Sequence, residues 1–358
     1  MANTGAQQGA GAAVCFIVNP VAGSGMGKAA VPIIERTMRG AGASAGAGAG
    51  GASGAGPVSG PGGGPGGGSG NGAGYKIVYT DKPDDFERVA AMVGPGAETI
   101  ACVGGDGTVQ EYLGLAVGRG VKFGVIPAGS ANDLLLSTPA AGGGLETAAA
   151  EVCGGAGRAA AKPKFKTFEE KIAYYTKKVA EGNSARVDAI AVNGCKYCLN
   201  IAGTGIDIQV LKDALPIKKY FGGAAYFFSL MKNVFTYRAD SMGMTVDGKA
   251  EAGEVLLLAV CNGAYYGGNL KIAPPARVDD GLITLCKISK MPRAKMVAIF
   301  PAVKPGRHAG FKEVSFTNCS TVKIEFQGTR TLNLDGNLIE YGSPITFSAL
   351  KGAVNLII

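Results

Sequence analysis

The hydrophobic pattern changes character about halfway along the chain. In the first part, short apolar runs alternate with stretches of helical spacing. Val14 to Val18 is a continuous apolar run ending in Asn-Pro, the mark of a buried strand passing into a turn. A glycine-rich turn over Ala22 to Gly27 follows, and Val31, Ile34 and Met38 give Lys28 to Gly40 the period of an amphipathic helix. Tyr75 to Tyr79, Thr99 to Val103 and Lys122 to Ile126 read as strands, with helices expected over Asp84 to Val93 and Val109 to Val117. Repeated βα units of this kind predict a parallel sheet covered by helices. After Ala185 the texture becomes a succession of strand-like runs, among them VDAIAVNG, EVLLLAVCNG, LITLCKI and TVKIEF, separated by Gly, Asn or Asp turns. That spacing predicts an antiparallel β-sandwich or barrel, interrupted by one apolar helical stretch over Gly223 to Tyr237. The expected fold class is α/β: a parallel-sheet nucleotide-binding domain followed by a mostly antiparallel β-sandwich domain.

Composition refines the boundaries. Glycine supplies 59 of the 358 residues, and 18 of them fall in the 35 positions from Gly40 to Gly74. A Gly/Ala/Ser/Pro tract buries too little surface to offset its chain entropy, so 40–74 is expected to be a disordered insertion in the first domain. Pro139 to Lys166 is Ala/Gly-rich and reads as a loop, and Phe168 to Ala180 has the spacing of a surface helix. The expected organisation is an α/β domain over 1–138, a loop and helix insertion over 139–184, and a β-rich domain over 185–358. With 47% hydrophobic and 17% charged residues the chain has ample material for a packed core, which excludes wholesale disorder.

Charge adds a preference for anionic partners, since 35 basic minus 27 acidic residues leave a net +8. There is no Trp and no basic stretch interleaved with aromatics, so nucleic acid is not an expected partner. The eight cysteines are scattered through apolar segments and read as free thiols, and the lone pair Cys195 and Cys198 lacks the second pair that a zinc site needs. Too few residues precede the first strand for a targeting peptide, and the longest apolar run, Val255 to Cys261, is far short of a membrane span. A cytoplasmic protein, at most peripherally associated with membranes, is expected.

Three polar loops carry the candidate chemistry. The first runs from Asn19 to Lys28 (NPVAGSGMGK), the second is Gly104-Gly105-Asp106-Gly107-Thr108, and the third is Pro127 to Asp133 (PAGSAND). Each follows a predicted strand, the place where open α/β sheets bind ligands. Glycines let backbone amides approach phosphates closely, and Asp106 and Thr108 add a carboxylate and a hydroxyl. The first loop is not a P-loop, because Ala22 stands at its first glycine and Ala29 where a hydroxyl would meet magnesium. By itself it is as consistent with a structural turn as with a phosphate site. Three such loops at successive strand ends are expected to converge on one crevice.

Together these residues resemble the diacylglycerol kinase catalytic family, the lipid kinases that include bacterial diacylglycerol and phosphatidylglycerol kinases, sphingosine kinases and ceramide kinases. Asn19 to Gly23 is similar to the family's NPxAG, Gly104 to Glu111 to GGDGTxNE, and Pro127 to Asp133 to PxGTxND. GTGID at Gly203 to Asp207, GGNLKIAPPARVDDGL at Gly267 to Leu282 and LDG at Leu334 to Gly336 extend the resemblance over nearly the whole chain. The resemblance implies a kinase that moves the γ-phosphate of ATP to a lipid hydroxyl, diacylglycerol first, with a sphingoid base or ceramide as the alternative. A non-catalytic nucleotide- or lipid-binding descendant is the reading from a different class.

By the same resemblance, ATP would be held by Asn19, Pro20, Ala22, Gly23, Thr80, Gly104, Gly105, Asp106, Gly107, Thr108, Glu111, Gly129 and Ser130. Asp280, with the backbone carbonyls of Arg277 and Leu282, would hold Mg2+. Asp106 and Asp335 are the candidate catalytic carboxylates, Asp106 as proton acceptor and Asp335 as a metal or orienting group. Asn337 departs from the family's DGE, and an amide cannot act as a base at neutral pH. Gln110 and Ala131 depart more mildly from the family's Asn and Gly. The single histidine, His308, is expected to be structural. The implied partners are a membrane lipid and a bilayer surface, with a homo-oligomer left open.

Overall fold

The computed structural model describes residues 13–46, 70–72, 74–81, 85–129, 132–138, 163–221 and 224–358. Two compact units emerge. One comprises Met1–Gly129, Lys164–Ala185 and Asn355–Ile357, the other Ser130–Pro163, Arg186–Val354 and Ile358.

The first unit is built on β1 (Val14–Val18), α1 (Ala22–Gly46), β2 (Gly70–Gly72), β3 (Tyr75–Tyr79), α2 (Phe86–Val93), β4 (Thr99–Gly104), α3 (Asp106–Tyr112) and β5 (Lys122–Pro127). β3, β1, β4 and β5 lie side by side and all parallel, as the alternation of strands and helices predicts. The chain leaves β1 for β3 on one side and returns past β1 to β4 on the other. The switch point of the sheet therefore falls between β1 and β4. Val18 pairs with both Tyr79 and Val103, and Gly104 with Pro127, so the carboxyl ends of the four strands are level. Strand interiors are apolar and fully buried (Phe16, Val103, Ile126), consistent with a sheet covered on both faces.

Some boundaries move. The helix after the first loop runs through Ala41 to Gly46, where the insertion was expected to begin, because the Gly/Ala mixture there still contains good helix formers. At the other end Gly70–Gly72 pairs antiparallel with β3 through main-chain groups that need no side chain. The remainder of that tract, and 139–162, lie outside the described residues. Helix α3 starts at Asp106, three residues before the apolar spacing becomes visible. The helix over Phe168–Glu181 is capped by the Thr167 hydroxyl accepting from Glu170 N–H, and it buries Ile172 and Val179 among Phe16, Ile34 and Ile126 of this unit. A Cβ at Gly124 would come within 2.8 Å of Val179, so β5 needs glycine where this helix crosses it.

The second unit is mostly antiparallel. Counting the helices at Leu134–Ser137 and Phe168–Glu181 as α4 and α5, it contains β6 (Ser184–Val192), β7 (Lys196–Cys198), β8 (Ile201–Gly205), α6 (Ile206–Phe221), α7 (Ala224–Thr236), β9 (Asp240–Val246) and β10 (Lys249–Cys261). There follow β11 (Ile283–Ser289), α8 (Arg293–Val303), β12 (Val314–Cys319), β13 (Thr321–Glu325), β14 (Thr329–Leu334), β15 (Asn337–Gly342) and β16 (Ile345–Ile357). The long strand β10 changes partners at a register shift between Val255 and Leu257, pairing with β9 before it and with β8 and β11 after it. One core cluster gathers Leu258, Ile283, Val322, Leu334 and Phe347 between strands. Another gathers Leu256, Leu257, Leu230, Val234, Met296 and Ile299 between the sheet and α6, α7 and α8. Helices α6 and α8 are not announced by the hydrophobic pattern, and each contains a proline (Pro216, Pro301). The end of β16, Asn355–Ile357, belongs to the first unit, where Asn355 and Leu356 pair in parallel with Lys122 and Phe123.

Candidate active site

The first and second loops meet at the switch point of the parallel sheet. Asn19 continues the β1 ladder by donating its N–H to Val103 O (3.0 Å). Its side-chain amide then works at both ends: Nδ2 donates to Thr108 Oγ1 at 3.0 Å, and Oδ1 accepts from Val21 N–H at 3.2 Å. Beyond Pro20 and Ala22 the chain makes a left-handed turn, with φ of 56° at Gly23, 59° at Ser24 and 97° at Gly25. A Cβ on Gly23 would stand 2.2 Å from the carbonyl oxygen of Ala128, in the third loop. The first and third loops are therefore pressed together in a way that only glycine permits.

The second loop closes the set. Gly104 O accepts from both Ala128 N–H (2.9 Å) and Gly129 N–H (3.0 Å). A Cβ on Gly105 would lie 3.2 Å from Gly129 Cα, and one on Gly104 would meet Thr108 Oγ1 at 2.6 Å. Gly105 is the N-cap of α3, so Asp106 occupies the first helical position instead of being used as the cap, with Gly107 beside it. Thr108 and Gln110 are buried, and Glu111 is half-buried. Thr80 donates its N–H to Val18 O at 2.9 Å, beside the first loop. Gly23, Gly105 and Gly129 thus come together as the loop chemistry predicts. Ser130 and Ala131 lie outside the described residues.

A support beneath Thr80 is not visible in the sequence. Asp85 accepts from Asp81 N–H (2.9 Å), from Arg88 and from the buried Tyr112 hydroxyl, while Arg88 also donates to Tyr79 O (2.7 Å). Burial pushes the Asp85 carboxyl up, but the hydrogen bonds from Tyr112, Asp81 and Arg88 outweigh it and hold it below the ordinary carboxylate range.

In the second unit, carboxylates hold backbone loops. Asp335, in the left-handed region at φ 46°, accepts from Leu199 N–H (2.7 Å), Asn200 N–H (3.2 Å) and Ile201 N–H (2.7 Å). Both of its oxygens are thereby engaged by main chain. Asp133, at the end of the third loop, accepts from Gly268 N–H and Asn269 N–H, each at 2.9 Å. Asp188 accepts from Gly281 N–H and Gly352 N–H, each at 2.6 Å, and so anchors the loop that carries Arg277, Asp280 and Leu282. Asp280 itself accepts from Leu282 N–H at 2.9 Å, and Arg277 pairs with Asp279 at 3.2 Å. Burial, with Asp188 and Asp279 alongside, holds Asp280 above the usual carboxylate range despite Leu282 N–H and Arg277. Among the described residues no group of three His, Cys, Asp or Glu side chains is placed to hold a metal ion, so a cation here would depend on backbone carbonyls beside Asp280. His308 is fully buried, its Nε2 2.9 Å from Ile272 O and its ring edge-on to Phe316, as a structural histidine would be. Cys195 is exposed and Cys198 buried, so the CxxC thiols occupy unlike surroundings.

Helices α6, α7 and α8 enclose, with β10, an apolar cavity of about 320 Å3. Leu230, Val234, Leu257, Met296 and Ile299 line it, and Asp207 is the one charged residue among its described lining. Both Asp207 carboxylate oxygens are shielded from solvent and lack a well-aligned hydrogen-bond partner among the described residues. Burial pushes this carboxyl up to about 6, with the N–H groups of Ile208 and Asp207 and the Tyr266 hydroxyl offsetting part of the shift.

A parallel sheet whose switch-point loops interlock, followed by a β-sandwich-like unit, defines a class of two-part kinase folds. Residues 69–162 match the diacylglycerol kinase catalytic domain, and residues 200–358 match the YegS C-terminal NAD kinase beta sandwich-like domain. A Pseudomonas aeruginosa (strain UCBPP-PA14) protein named "Probable lipid kinase YegS-like" is 30% identical over 75% of this chain and 79% of its own. The "Diacylglycerol kinase" of Bacillus subtilis (strain 168) is 29% identical over 68% and 72%. That of Mycobacterium tuberculosis (strain ATCC 25618 / H37Rv) is 28% identical over 71% and 75%. The crystal structure of a diacylglycerol kinase from Bacillus anthracis str. Sterne superposes with a TM-score of 0.59 over 97% of this chain and 96% of that one, at 18% identity. The chain belongs to the diacylglycerol kinase and YegS-like lipid kinase family, and it is a lipid kinase.

Proposed function

We propose that this lipid kinase transfers the γ-phosphate of ATP to a hydroxyl of a membrane lipid, converting diacylglycerol to phosphatidic acid. The observation that carries the reading is the interlock of the three loops, with Gly23 against Ala128, Gly105 against Gly129 and Asn19 bonded to Thr108. Phosphoryl transfer asks mainly for positioning and charge neutralisation, and packed glycine backbone supplies a close, water-poor approach to phosphate oxygens. In this reading Asn19, Pro20, Ala22, Gly23, Thr80, Gly104 to Thr108, Glu111, Gly129 and Ser130 hold the nucleotide. Asp106, not consumed as a helix cap, accepts the proton of the lipid hydroxyl, and Asp335 keeps the backbone at Leu199 to Ile201 in place. Asp280 and the carbonyls of Arg277 and Leu282 would hold magnesium, whose chemistry when bound is to neutralise negative charge on oxygen.

The acceptor's hydrocarbon is proposed to occupy the cavity beside Asp207, whose size is within the range of small-molecule sites. A second reading draws support from Asp207 itself. A shielded carboxylate in an apolar wall is suited to pair with an ammonium, which a sphingoid base has and diacylglycerol lacks. Incubating purified protein with labelled ATP, magnesium and a panel of diacylglycerol, sphingoid base, ceramide and phosphatidylglycerol tests both. Label on diacylglycerol supports the first reading and label on the sphingoid base the second. No label on any lipid, with ATP still bound, would favour a non-catalytic nucleotide-binding role.

A further inference from the structure

Among the described residues, six of the eight exposed large apolar side chains lie on three helices, the other two, Val21 and Met26, being in the first loop. Leu215, Tyr220, Phe227, Phe228 and Phe235 all lie on α6 and α7, and Val297 is on α8, which packs against α7. On α7 the pattern is two-sided. Ala225, Ser229, Leu230, Asn233 and Val234 are buried, yet Phe227, Phe228 and Phe235 are 53%, 51% and 67% exposed. At 100° per residue these three rings fall within an arc of about 100° on the opposite side of the helix. Phe227 and Phe228 stand edge to face with each other, 6.0 Å between centroids. A helix apolar all round belongs in a core or in lipid, and this one has a core on one side only.

Charge identifies what covers the other side. From Ile206 to Arg238 the sequence has five basic residues, Lys212, Lys218, Lys219, Lys232 and Arg238, against two acidic ones. Of the acidic pair, Asp207 has shielded oxygens, and Asp213, partly exposed, is paired with Lys232 and Asn233 at 2.9 and 2.8 Å, which leaves Lys212, Lys218, Lys219 and Arg238 as the basic excess of this segment. Aromatic rings flanked by cations fit an anionic bilayer, where rings enter the acyl boundary and cations meet headgroups. The inner faces of the same helices line the apolar cavity, through Val210, Leu230, Val234 and Met296.

We infer that the outer face of the α6–α7 pair is a bilayer-docking surface, seated on anionic lipid through Phe227, Phe228 and Phe235. The inference rests on the lipid-kinase reading for its choice of partner, and its test does not depend on phosphoryl transfer. Vesicles of phosphatidylcholine with and without phosphatidylserine, free of any diacylglycerol, are sedimented with the full chain. The wild type is expected to co-sediment with the phosphatidylserine vesicles. The variant Phe227→Ser/Phe228→Ser/Phe235→Ser is expected to lose at least about tenfold in partition while its melting temperature and ATP binding stay unchanged.

The chain has no Trp, so Phe228→Trp gives a single reporter that needs no disruption of the face. Its emission should shift to the blue on adding phosphatidylserine vesicles and be quenched by brominated acyl chains, whereas Lys249→Trp, at the exposed start of β10, should do neither. Equal sedimentation of wild type and triple variant, or an unshifted Phe228→Trp, would overturn the inference. So would a triple variant that changes only from dimer to monomer, because the face would then belong to a second copy. Vesicle docking without lipid phosphorylation in the panel above would leave this inference standing and remove the catalytic one.

Discussion

Asn19 Nδ2 donates to Thr108 Oγ1 at 3.0 Å, joining the loop after the first strand to the first turn of the helix after the fourth. These residues are 89 positions apart. The bond fixes the orientation of the Asn19 amide, whose Oδ1 then faces Val21 N–H, and so sets the path of the chain into Gly23. Thr108→Val should cost about 1 kcal/mol of stability and weaken ATP binding. Gly23→Ala should cost more, because φ of 56° disfavours a side chain and the new methyl would stand 2.2 Å from Ala128 O. Calorimetric titration with ATP and thermal melts of both variants would check the order. Unchanged ATP affinity in Gly23→Ala would separate this turn from the nucleotide.

Asp106→Asn preserves shape at the first position of α3 and removes the proposed proton acceptor. Turnover should fall by about 100- to 10,000-fold with the melting temperature unaltered. Asn337→Glu, which restores the acidic residue usual at that position, should leave turnover near the wild-type level. A large gain from Asn337→Glu, or near-normal rates in Asp106→Asn, would move the proton-accepting role away from Asp106.

Asp335 is expected to respond differently. Its oxygens accept three backbone N–H groups, so Asp335→Ala leaves buried donors unpaired and should lower stability by about 2–3 kcal/mol. Part of the stability and of kcat should return in Asp335→Asn, which keeps one acceptor oxygen. Denaturant melts alongside steady-state kinetics would show whether the rate tracks the fold in this pair, as an orienting role requires.

Asp207 should make its mark on the pH dependence of stability. Burial raises its pKa from 3.8 to about 6, so the folded chain holds this proton more tightly than the unfolded one. Its stabilising contribution is complete below pH 3.8 and is lost as the pH rises through about 6. The stability of wild type minus that of Asp207→Asn should therefore fall with rising pH across this window, by up to about 3 kcal/mol. Urea melts of the two proteins from about pH 4 to 7.5 would measure the difference. A flat difference would mean that the carboxylate is better solvated than the cavity wall implies.

Much of the fold was legible because its signals are local. The runs Val14 to Val18, Thr99 to Val103 and Lys122 to Ile126 became adjacent parallel strands, and the small-residue loops behind them became the interlocked turns. Helix α6 was hidden because GTGID draws attention to its start and Pro216 breaks the periodicity that would otherwise reveal it. Helix α7 was anticipated as the apolar stretch Gly223 to Tyr237, but not which of its faces would be covered. The structure buries Leu230 and Val234 on one side and leaves Phe227, Phe228 and Phe235 exposed on the other.

What the sequence determined by itself is the set of glycine-bearing bends and their order, since positive φ and close approach restrict residue type at the position where they occur. Only the tertiary structure decided what the carboxylates do. Asp133 meets Gly268 across 135 positions, Asp188 meets Gly352 across 164 and Asp335 meets Leu199 across 136. An aspartate's own neighbours in the chain do not say whether it will face water, a main-chain amide or an oily wall. That depends on which distant segment arrives beside it, and with it on how strongly its charge is solvated.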